Sequence, residues 1–536
     1  MEPQFELIAK TFQGLEEVLA QELTELGAND VQIGRRMVSF TGDKEMMYRA
    51  NFCLRTAVRV LKPIKHFKAA DADQVYDAVK SIEWSDYLSL DTSFSVDSVV
   101  YSQEFRHSKF VAYKVKDAIV DYFREHTGQR PNIRITNPDV KLNIHIAETD
   151  CTLSLDSSGE SLHRRGYRTG TVDAPINEVL AAGILKLAGW DGSTDFVDPM
   201  CGSGTLIIEA ALMARNIYPG VFRKEFAFEK WSDFDRELFD RIYNDDNDER
   251  EFTHKIYGYD INQPAIDVAQ ANVKSAGVAD CVTVERRPVQ QFEQPSEPTL
   301  MVTNPPYGER ITSPDLLGLY RSLGERLKHQ FVGNTAWVIC NRAELFDQIG
   351  LKPSVRIPLF NGALDCELRK YQIFDGKYDD FRADGNDVRN EEDRRRSGEK
   401  RRFKQHRDEF RKRFDDEDDE DGIPGYMRRK HMEFERSRQE FRPRRDNESR
   451  SRRSFDRDRR SDEREDRFGE QGRSSFGRDR KSFGGERRFD DREGRPYRGD
   501  RDFRGGDRKS YQGGRRPFDR DHKPFDRNFK KKRYED

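Results

Sequence analysis

The stretch Thr194-Asp-Phe-Val-Asp198-Pro-Met-Cys-Gly202-Ser-Gly204-Thr205-Leu206 decides how this 536-residue chain is read. Its first part is a short apolar run with strand character, and Leu206–Ile217 continues at helical spacing. Two glycines close together at such a junction permit a tight turn and a close backbone approach to a ligand. The first turn of the helix leaves N–H groups without partners. A dinucleotide site needs a third glycine where Ile207 stands, which argues against a nicotinamide cofactor. Taken alone, the junction fits a structural turn as well as a ligand loop.

Outward from this point the pattern repeats. Lys255-Ile-Tyr-Gly-Tyr-Asp260, Thr299-Leu-Met-Val-Thr303, Ala336-Trp-Val-Ile-Cys340 and Arg369-Lys-Tyr-Gln-Ile-Phe374 read as short apolar strands. Helical patterns lie at Pro175–Leu187, Ala265–Ala276 and Leu316–Phe331. Strands that are apolar rather than alternating, separated by helices, predict an α/β fold with a doubly wound, largely parallel sheet covered on both faces. The polar stretch Tyr218–Thr253 is expected to be an insertion outside that sheet.

The residues before it follow another plan. Phe5-Glu-Leu-Ile-Ala9 and Met37-Val-Ser-Phe40 alternate as strands around a helical stripe of Leu15, Val18, Leu19, Leu23 and Leu26, with Gly27 at the C-cap position. Further on, Phe110–Phe123 carries an apolar helical stripe, and Asp139–Ile146 with Cys151–Asp156 alternates as a hairpin. The expected organisation is a small N-terminal unit over 1–42, a second α+β module over 43–155, the α/β domain over 156–375 and a tail over 376–536.

The tail differs in composition. Residues 381–536 hold 51 Lys+Arg and 40 Asp+Glu with no Leu, which leaves 44 and 58 for residues 1–380. So little apolar surface cannot offset the entropy of ordering, and the tail is expected to be disordered. No run of about 20 apolar residues predicts a membrane span, and Met1–Glu6 lacks the regions of a signal peptide. The six cysteines (53, 151, 201, 281, 340, 366) have no CxxC spacing and no His at ligand spacing. Neither a disulfide scaffold nor a metal site is expected, and a cytoplasmic location fits reduced thiols.

Two further features carry chemistry. Asp260 ends the second strand, where it can accept from ribose hydroxyls or cap the next helix. Asn304-Pro305-Pro306-Tyr307-Gly308-Glu309-Arg310 follows the third strand. Consecutive prolines hold the chain rigid at the carboxyl edge of the sheet, where open α/β sheets bind ligands. An Asn amide oxygen and a proline carbonyl can both accept from one exocyclic NH₂, which frees the nitrogen lone pair to attack an electrophile. Tyr307 can stack on the base that carries this amine.

Together these residues resemble class I S-adenosylmethionine-dependent methyltransferases of the amino-methylating kind. Arg164-Arg-Gly-Tyr-Arg168, Ala174-Pro-Ile-Asn-Glu178, the glycine junction, the Asn304 motif and Asn361-Gly-Ala-Leu-Asp-Cys366 narrow the resemblance. It becomes one to the THUMP-domain RNA guanine-N2 methyltransferases, specifically the N-terminal half of the bacterial 23S rRNA enzymes, over residues 1–375. The resemblance implies a ferredoxin-like unit and a THUMP RNA-binding module ahead of a Rossmann-like methyltransferase sheet. It further implies that Asp198, Gly202, Ser203, Gly204, Thr205 and Asp260 hold S-adenosylmethionine. Asn304, Pro305, Pro306 and Tyr307 would then present the base, with no metal. Two departures stand out: Pro288 falls near the place of an acid that reads the adenine amine, and the charged tail stands where some relatives carry a second methyltransferase domain, so a second methylation activity is not expected.

The implied reaction is methyl transfer to guanine N2 in RNA, with 23S rRNA placed ahead of tRNA. An adenine-N6 DNA methylase and a non-catalytic RNA-binding or assembly factor are the rivals. Cys201 and Cys366 are expected to be packing residues. Arg106, His107, Lys109, Lys114 and Lys116, and Arg164, Arg165 and Arg168 beside Tyr167, are candidate phosphate contacts. The net-positive tail, rich in Arg, Phe and Gly, reads either as an RNA-binding segment or as a self-associating polyampholyte.

Overall fold

The computed structural model describes residues 3–105, 107–172, 175–294, 298–308 and 315–376. The tail beyond 376, Arg106, Ala174, Glu309 and Arg310 lie outside the described residues.

The first half is built on one eight-stranded sheet. Its strands are β1 (Phe5–Lys10), β2 (Asn29–Gly34), β3 (Met37–Gly42), β4 (Arg59–Lys68), β5 (Ser93–Tyr101), β6 (Asn132–Ile133), β7 (Val140–Ala147) and β8 (Asp150–Asp156). They lie in the order β2-β3-β1-β4-β8-β7-β5-β6. The β1–β4 pairing (Ile8 opposite Leu61) joins the N-terminal unit to the following module through backbone hydrogen bonds. β7 and β8 form the antiparallel hairpin their alternation predicts, with His145 opposite Thr152. Helices α1 (Glu16–Leu26), α2 (Lys44–Cys53), α3 (Ala72–Lys80) and α4 (Ser108–Thr127) accompany this sheet. α4 buries Val111, Val115, Ala118, Ile119 and Tyr122, the stripe read from its sequence.

The second half is a seven-stranded sheet of β9 (Asp195–Asp198), β10 (Ile256–Asp260), β11 (Val282–Arg286), β12 (Thr299–Thr303), β13 (Thr335–Cys340), β14 (Val355–Asn361) and β15 (Leu364–Gln372). Their order is β11-β10-β9-β12-β13-β15-β14. The first five run parallel, and β15 pairs antiparallel with both β13 and β14. Between or beside them run α5 (Glu178–Leu187), α6 (Thr205–Ala214), α7 (Arg236–Asn244), α8 (Gln263–Ser275), α9 (Leu316–Gln330) and α10 (Ala343–Ile349). α5 starts three residues later than the pattern from Pro175 suggests, because the Asn177 side chain accepts from the Val179 and Leu180 N–H groups and so caps it. No described helix is long and apolar enough to cross a membrane.

The stretch 218–253 adds no strand, as expected, yet it is far from a solvated insertion. Its Phe226, Phe228, Phe239 and Tyr243 are buried. The Phe228 ring stacks on Tyr48 of α2 with centroids 4.3 Å apart, and Phe239 meets Phe52 edge-on. This aromatic cluster fastens the eight-stranded sheet to the seven-stranded one.

Candidate functional site

β9 and β12 are neighbours in the sheet, so the two motifs that leave their carboxyl ends share one cavity of about 890 Å³. That volume suits a cofactor together with part of a base. Asp198, Gly202, Ser203, Thr205 and Asp260 line it on one side, and Asn304, Pro305, Pro306 and Tyr307 on the other. Gly204 lies behind the lining as the N-cap of α6, at φ 84, a conformation that glycine reaches without a steric penalty. Its N-cap glycine has no side chain to bond the first N–H groups, which lie at the end of the glycine loop. The loop packs down on β10 because Gly258 has no side chain: a methyl there would stand 2.6 Å from Ile207 Cδ1.

Two carboxylates shape the electrostatics. Asp198 is buried, and its Oδ1 accepts from the Met200 N–H at 3.1 Å and from the Thr303 hydroxyl at 2.7 Å. Burial pushes its carboxyl up to about 7, helped by the nearby charge of Asp260 and opposed by those two hydrogen bonds. Asp260 accepts from the Gly202 N–H at 3.0 Å and the Asn262 N–H at 2.9 Å. It therefore braces the glycine loop rather than capping α8, whose N-cap position is Asn262. Asp198 Oδ1 is filled by its two donors, whereas each Asp260 oxygen accepts one of these bonds and retains acceptor capacity for a ligand hydroxyl.

On the opposite side Asn304 is half-buried and Tyr307 is buried. The Tyr307 hydroxyl donates to Asn304 Oδ1, and the Asn361 side chain reaches the same hydroxyl. The backbone of the motif is held from outside: Tyr320 donates to the Pro306 carbonyl and Arg342 to the Tyr307 carbonyl, each at 3.4 Å. Cys201 and Cys366 are buried, the first with a thiol well above its ordinary range and the second pushed up to about 11 by burial. Neither is set up as a nucleophile.

Several lining residues lie beyond the site read from the sequence. Ile261, 61% exposed, follows Asp260 on the cavity wall, which also includes Val289 and Gln290 and, from the Asn361–Cys366 motif to which the sequence reading gives no role in the site, Asn361 and Leu364. An apolar residue immediately after a strand-ending acid was the available signal for Ile261. Asn361 and Leu364 arrive through the β14–β15 turn, which nothing local connects to Asn304.

The cations divide sharply. Arg165 is buried and paired with Glu209 of α6 at 3.5 Å, and the Tyr167 hydroxyl donates to the same carboxylate at 3.0 Å. Arg168 is engaged by Glu178, Ser203 and Thr205. Arg165 is too buried to serve as the phosphate contact expected of it, and Arg168 already commits one N–H of each guanidinium nitrogen inside the protein. Arg164 stays exposed beside Glu160. On α4, Lys114 and Lys116 pair with Asp73 and Asp117 and lie over the Phe110 and Tyr113 rings. Those rings are 52% and 59% exposed, with His107 and Lys109 exposed beside them.

Comparison with known proteins agrees with this layout. Residues 165–370 match the RMKL-like methyltransferase domain, 69–156 the THUMP domain and 6–61 the RlmL ferredoxin-like domain. The chain is 38% identical over 375 residues to a Synechocystis sp. protein described as "Putative RNA methyltransferase", covering 69% of this chain and 97% of that one. It is 40% identical over 397 residues to the ribosomal RNA large subunit methyltransferase K/L of Syntrophotalea carbinolica, covering 72% of this chain and 55% of the relative. The chain thus spans about half the length of that two-letter K/L relative. The crystal structure of a "putative methyltransferase complexed with SAH" superposes with a TM-score of 0.63 at 29% identity, covering 70% of this chain and all of that one. With glycine loop and Asn-Pro-Pro-Tyr motif on one cavity and a near full-length relative at this identity, the chain belongs to the RMKL-like methyltransferase family, with RlmL ferredoxin-like and THUMP domains ahead of its catalytic domain.

Proposed function

We propose that this protein transfers a methyl group from S-adenosylmethionine to the exocyclic N2 of a guanine in RNA, with 23S rRNA as substrate. The observation that carries the reading is the shared cavity. A glycine loop, an uncapped helix start and two carboxylates face an Asn-Pro-Pro-Tyr corner across it. The rRNA assignment is supported by the large-subunit methyltransferase relatives, and the RNA partner by the match to a THUMP domain.

In this reading Asp260 takes ribose hydroxyls, and Gly202, Ser203, Gly204 and Thr205 form the cradle beside Asp198. The bound donor supplies a methyl group on an electrophilic sulfonium. The protein's part is alignment and exclusion of water. Asn304 Oδ1 and the Pro305 carbonyl accept the two amine hydrogens of the base, which turns the nitrogen lone pair toward the methyl. As the N–C bond forms, the methyl–sulfur bond would break and the neutral thioether would leave; the positive charge passes to the nitrogen, where the same two oxygens stabilise it until one N–H proton is lost to solvent. The Tyr307 hydroxyl takes one lone pair of Asn304 Oδ1, which leaves the second for an amine hydrogen of the base. Pro306 keeps the corner rigid. A paired base has to be flipped out or presented in a loop to reach this corner.

The module over 43–155, with exposed Phe110 and Tyr113 among cations, is the RNA platform, joined by the unit over 1–42 and followed by the catalytic domain over 156–375. The tail over 376–536 adds a net-positive RNA-binding segment. Six buried, unpaired thiols support work in the reducing cytoplasm.

Purified protein supplied with labelled donor and either rRNA or tRNA tests the proposal. Label in rRNA, recovered as N2-methylguanosine, is expected. Labelled tRNA with blank rRNA would move the substrate, and N6-methyladenosine would move the target atom. Asn304→Ala should lower kcat by roughly two orders of magnitude; unchanged methylation would remove Asn304 from the catalytic role, and no methylation by the parent protein would leave the chain as an RNA-binding factor.

A further inference from the structure

Resting on the donor reading above, we propose that Arg168 is a positioning residue: it fixes the glycine loop and orients two hydroxyls toward the carboxylate end of the donor. Each of its three guanidinium nitrogens makes one hydrogen bond. Nε donates to Glu178 Oε1, Nη1 to Ser203 Oγ and Nη2 to Thr205 Oγ1, each at 2.9 Å. Arg168 does not line the cavity, whereas Ser203 and Thr205 do. It acts through them.

The loop requires such a brace. Gly202 and Gly204 both stand at positive φ, 53° and 84°, so the segment between them has few intrinsic limits on its shape. No side chain caps α6. Asn272 of α8 holds the backbone from the other side, donating to the Ser203 carbonyl at 2.9 Å while accepting from the Thr169 N–H at 2.8 Å. Arg168 holds the side chains. Its guanidinium is oriented in turn by Glu178, a buried carboxylate in the first turn of α5, where negative charge is favoured.

A consequence follows for the hydroxyl protons. A hydroxyl whose oxygen accepts from a guanidinium must send its own hydrogen elsewhere. Ser203 and Thr205 both accept from Arg168 and both face the cavity, beside the free N–H groups of the α6 start. The result is a set of donors with no competing acceptor role, suited to a carboxylate. A lysine carries the same charge but has no planar fork to engage three acceptors at once.

The test compares two probes by calorimetry on the full chain: S-adenosylhomocysteine, which carries the amino-acid end, and methylthioadenosine, which lacks it. Arg168→Lys should weaken S-adenosylhomocysteine about tenfold or more and methylthioadenosine less than about threefold. Its melting temperature should stay within a few degrees, and kcat at saturating donor should change little, so the loss appears in KM. Arg168→Ala should show a larger loss with reduced stability. Equal weakening of both probes, or full rescue of S-adenosylhomocysteine binding by Lys, would overturn the proposal. So would a variant that binds RNA less tightly and the donor normally. Failure of the parent protein to bind S-adenosylhomocysteine would instead remove the donor reading itself.

Discussion

Thr303, the last residue of β12, donates its hydroxyl at 2.7 Å to Asp198, the last residue of β9. One hydrogen bond thus joins the first residue of the glycine loop to the residue immediately before Asn304. Both partners are buried at the carboxyl edge of a parallel pair of strands. The separation of the glycine loop and the Asn-Pro-Pro-Tyr corner is therefore set by sheet register and locked by a side-chain bond, not left to loop conformation. Thr303→Val keeps the shape and β propensity while deleting the bond. It is expected to lower kcat by about tenfold at saturating donor, since small misalignments are costly in an in-line displacement. Single-turnover methylation would show this, and an unchanged rate would mean that the register alone suffices.

Asp198 also imposes a pH dependence. Its carboxyl in the folded protein lies at about 7, above the ordinary carboxylate value near 4. The folded state therefore holds this proton across a window in which the unfolded chain has lost it. Stability from this group is complete below about pH 4 and is lost as pH rises through 7. Asp198→Asn keeps an acceptor for Thr303 and Met200 without the buried charge. At pH 8 the variant without ligand is expected to be more stable than its parent by on the order of a few kcal/mol, with the difference vanishing toward pH 4. Denaturant titrations at both pH values measure this.

The buried Arg165–Glu209 pair predicts a stability effect and no effect on RNA. Side-chain exposure is 1% and 0%, so deleting one member strands a charge in the interior. Glu209→Ala should cost about 3–5 kcal/mol in denaturant unfolding, and joint replacement by apolar residues of similar volume should recover much of it. The salt dependence of RNA binding by the joint variant should match that of the parent, because neither residue reaches a phosphate.

The exposed rings of α4 should behave in the opposite way. Phe110→Ala and Tyr113→Ala remove surface aromatics, so stability should change by less than about 1 kcal/mol. If each ring stacks on an unpaired base, RNA affinity should fall by about 1–3 kcal/mol per ring with an unaltered salt slope. Lys109→Ala should instead reduce that slope. Filter binding at several salt concentrations separates the two behaviours.

The tail makes a composition-based prediction. Removing residues beyond Asp380 takes away 51 Lys+Arg and 40 Asp+Glu. Methylation at saturating RNA should persist, while affinity at low salt should drop and converge with that of the full chain at high salt. Equal affinity at low salt would favour a self-associating or solubilising role.

What the linear sequence settled were features with local causes. The glycine junction, the Asn-Pro-Pro-Tyr corner, the apolar parallel strands, the α4 stripe and the β7–β8 hairpin all follow from period, proline geometry or the freedom of glycine at positive φ. Residues three or four positions apart, or alternate residues, carry those signals without help from the rest of the chain. The fates of the arginines were decided elsewhere. Arg165 and Arg168 look like Arg164 in the sequence, yet their partners Glu209, Ser203 and Thr205 stand 35 to 44 positions away. Likewise, the polar stretch 218–253 hides an aromatic face that only α2 reveals, and Asn361 meets Tyr307 only because β15 turns antiparallel against β13. Burial is a property of packed surfaces. Whether a cation faces solvent or a carboxylate depends on which distant element the fold brings against it.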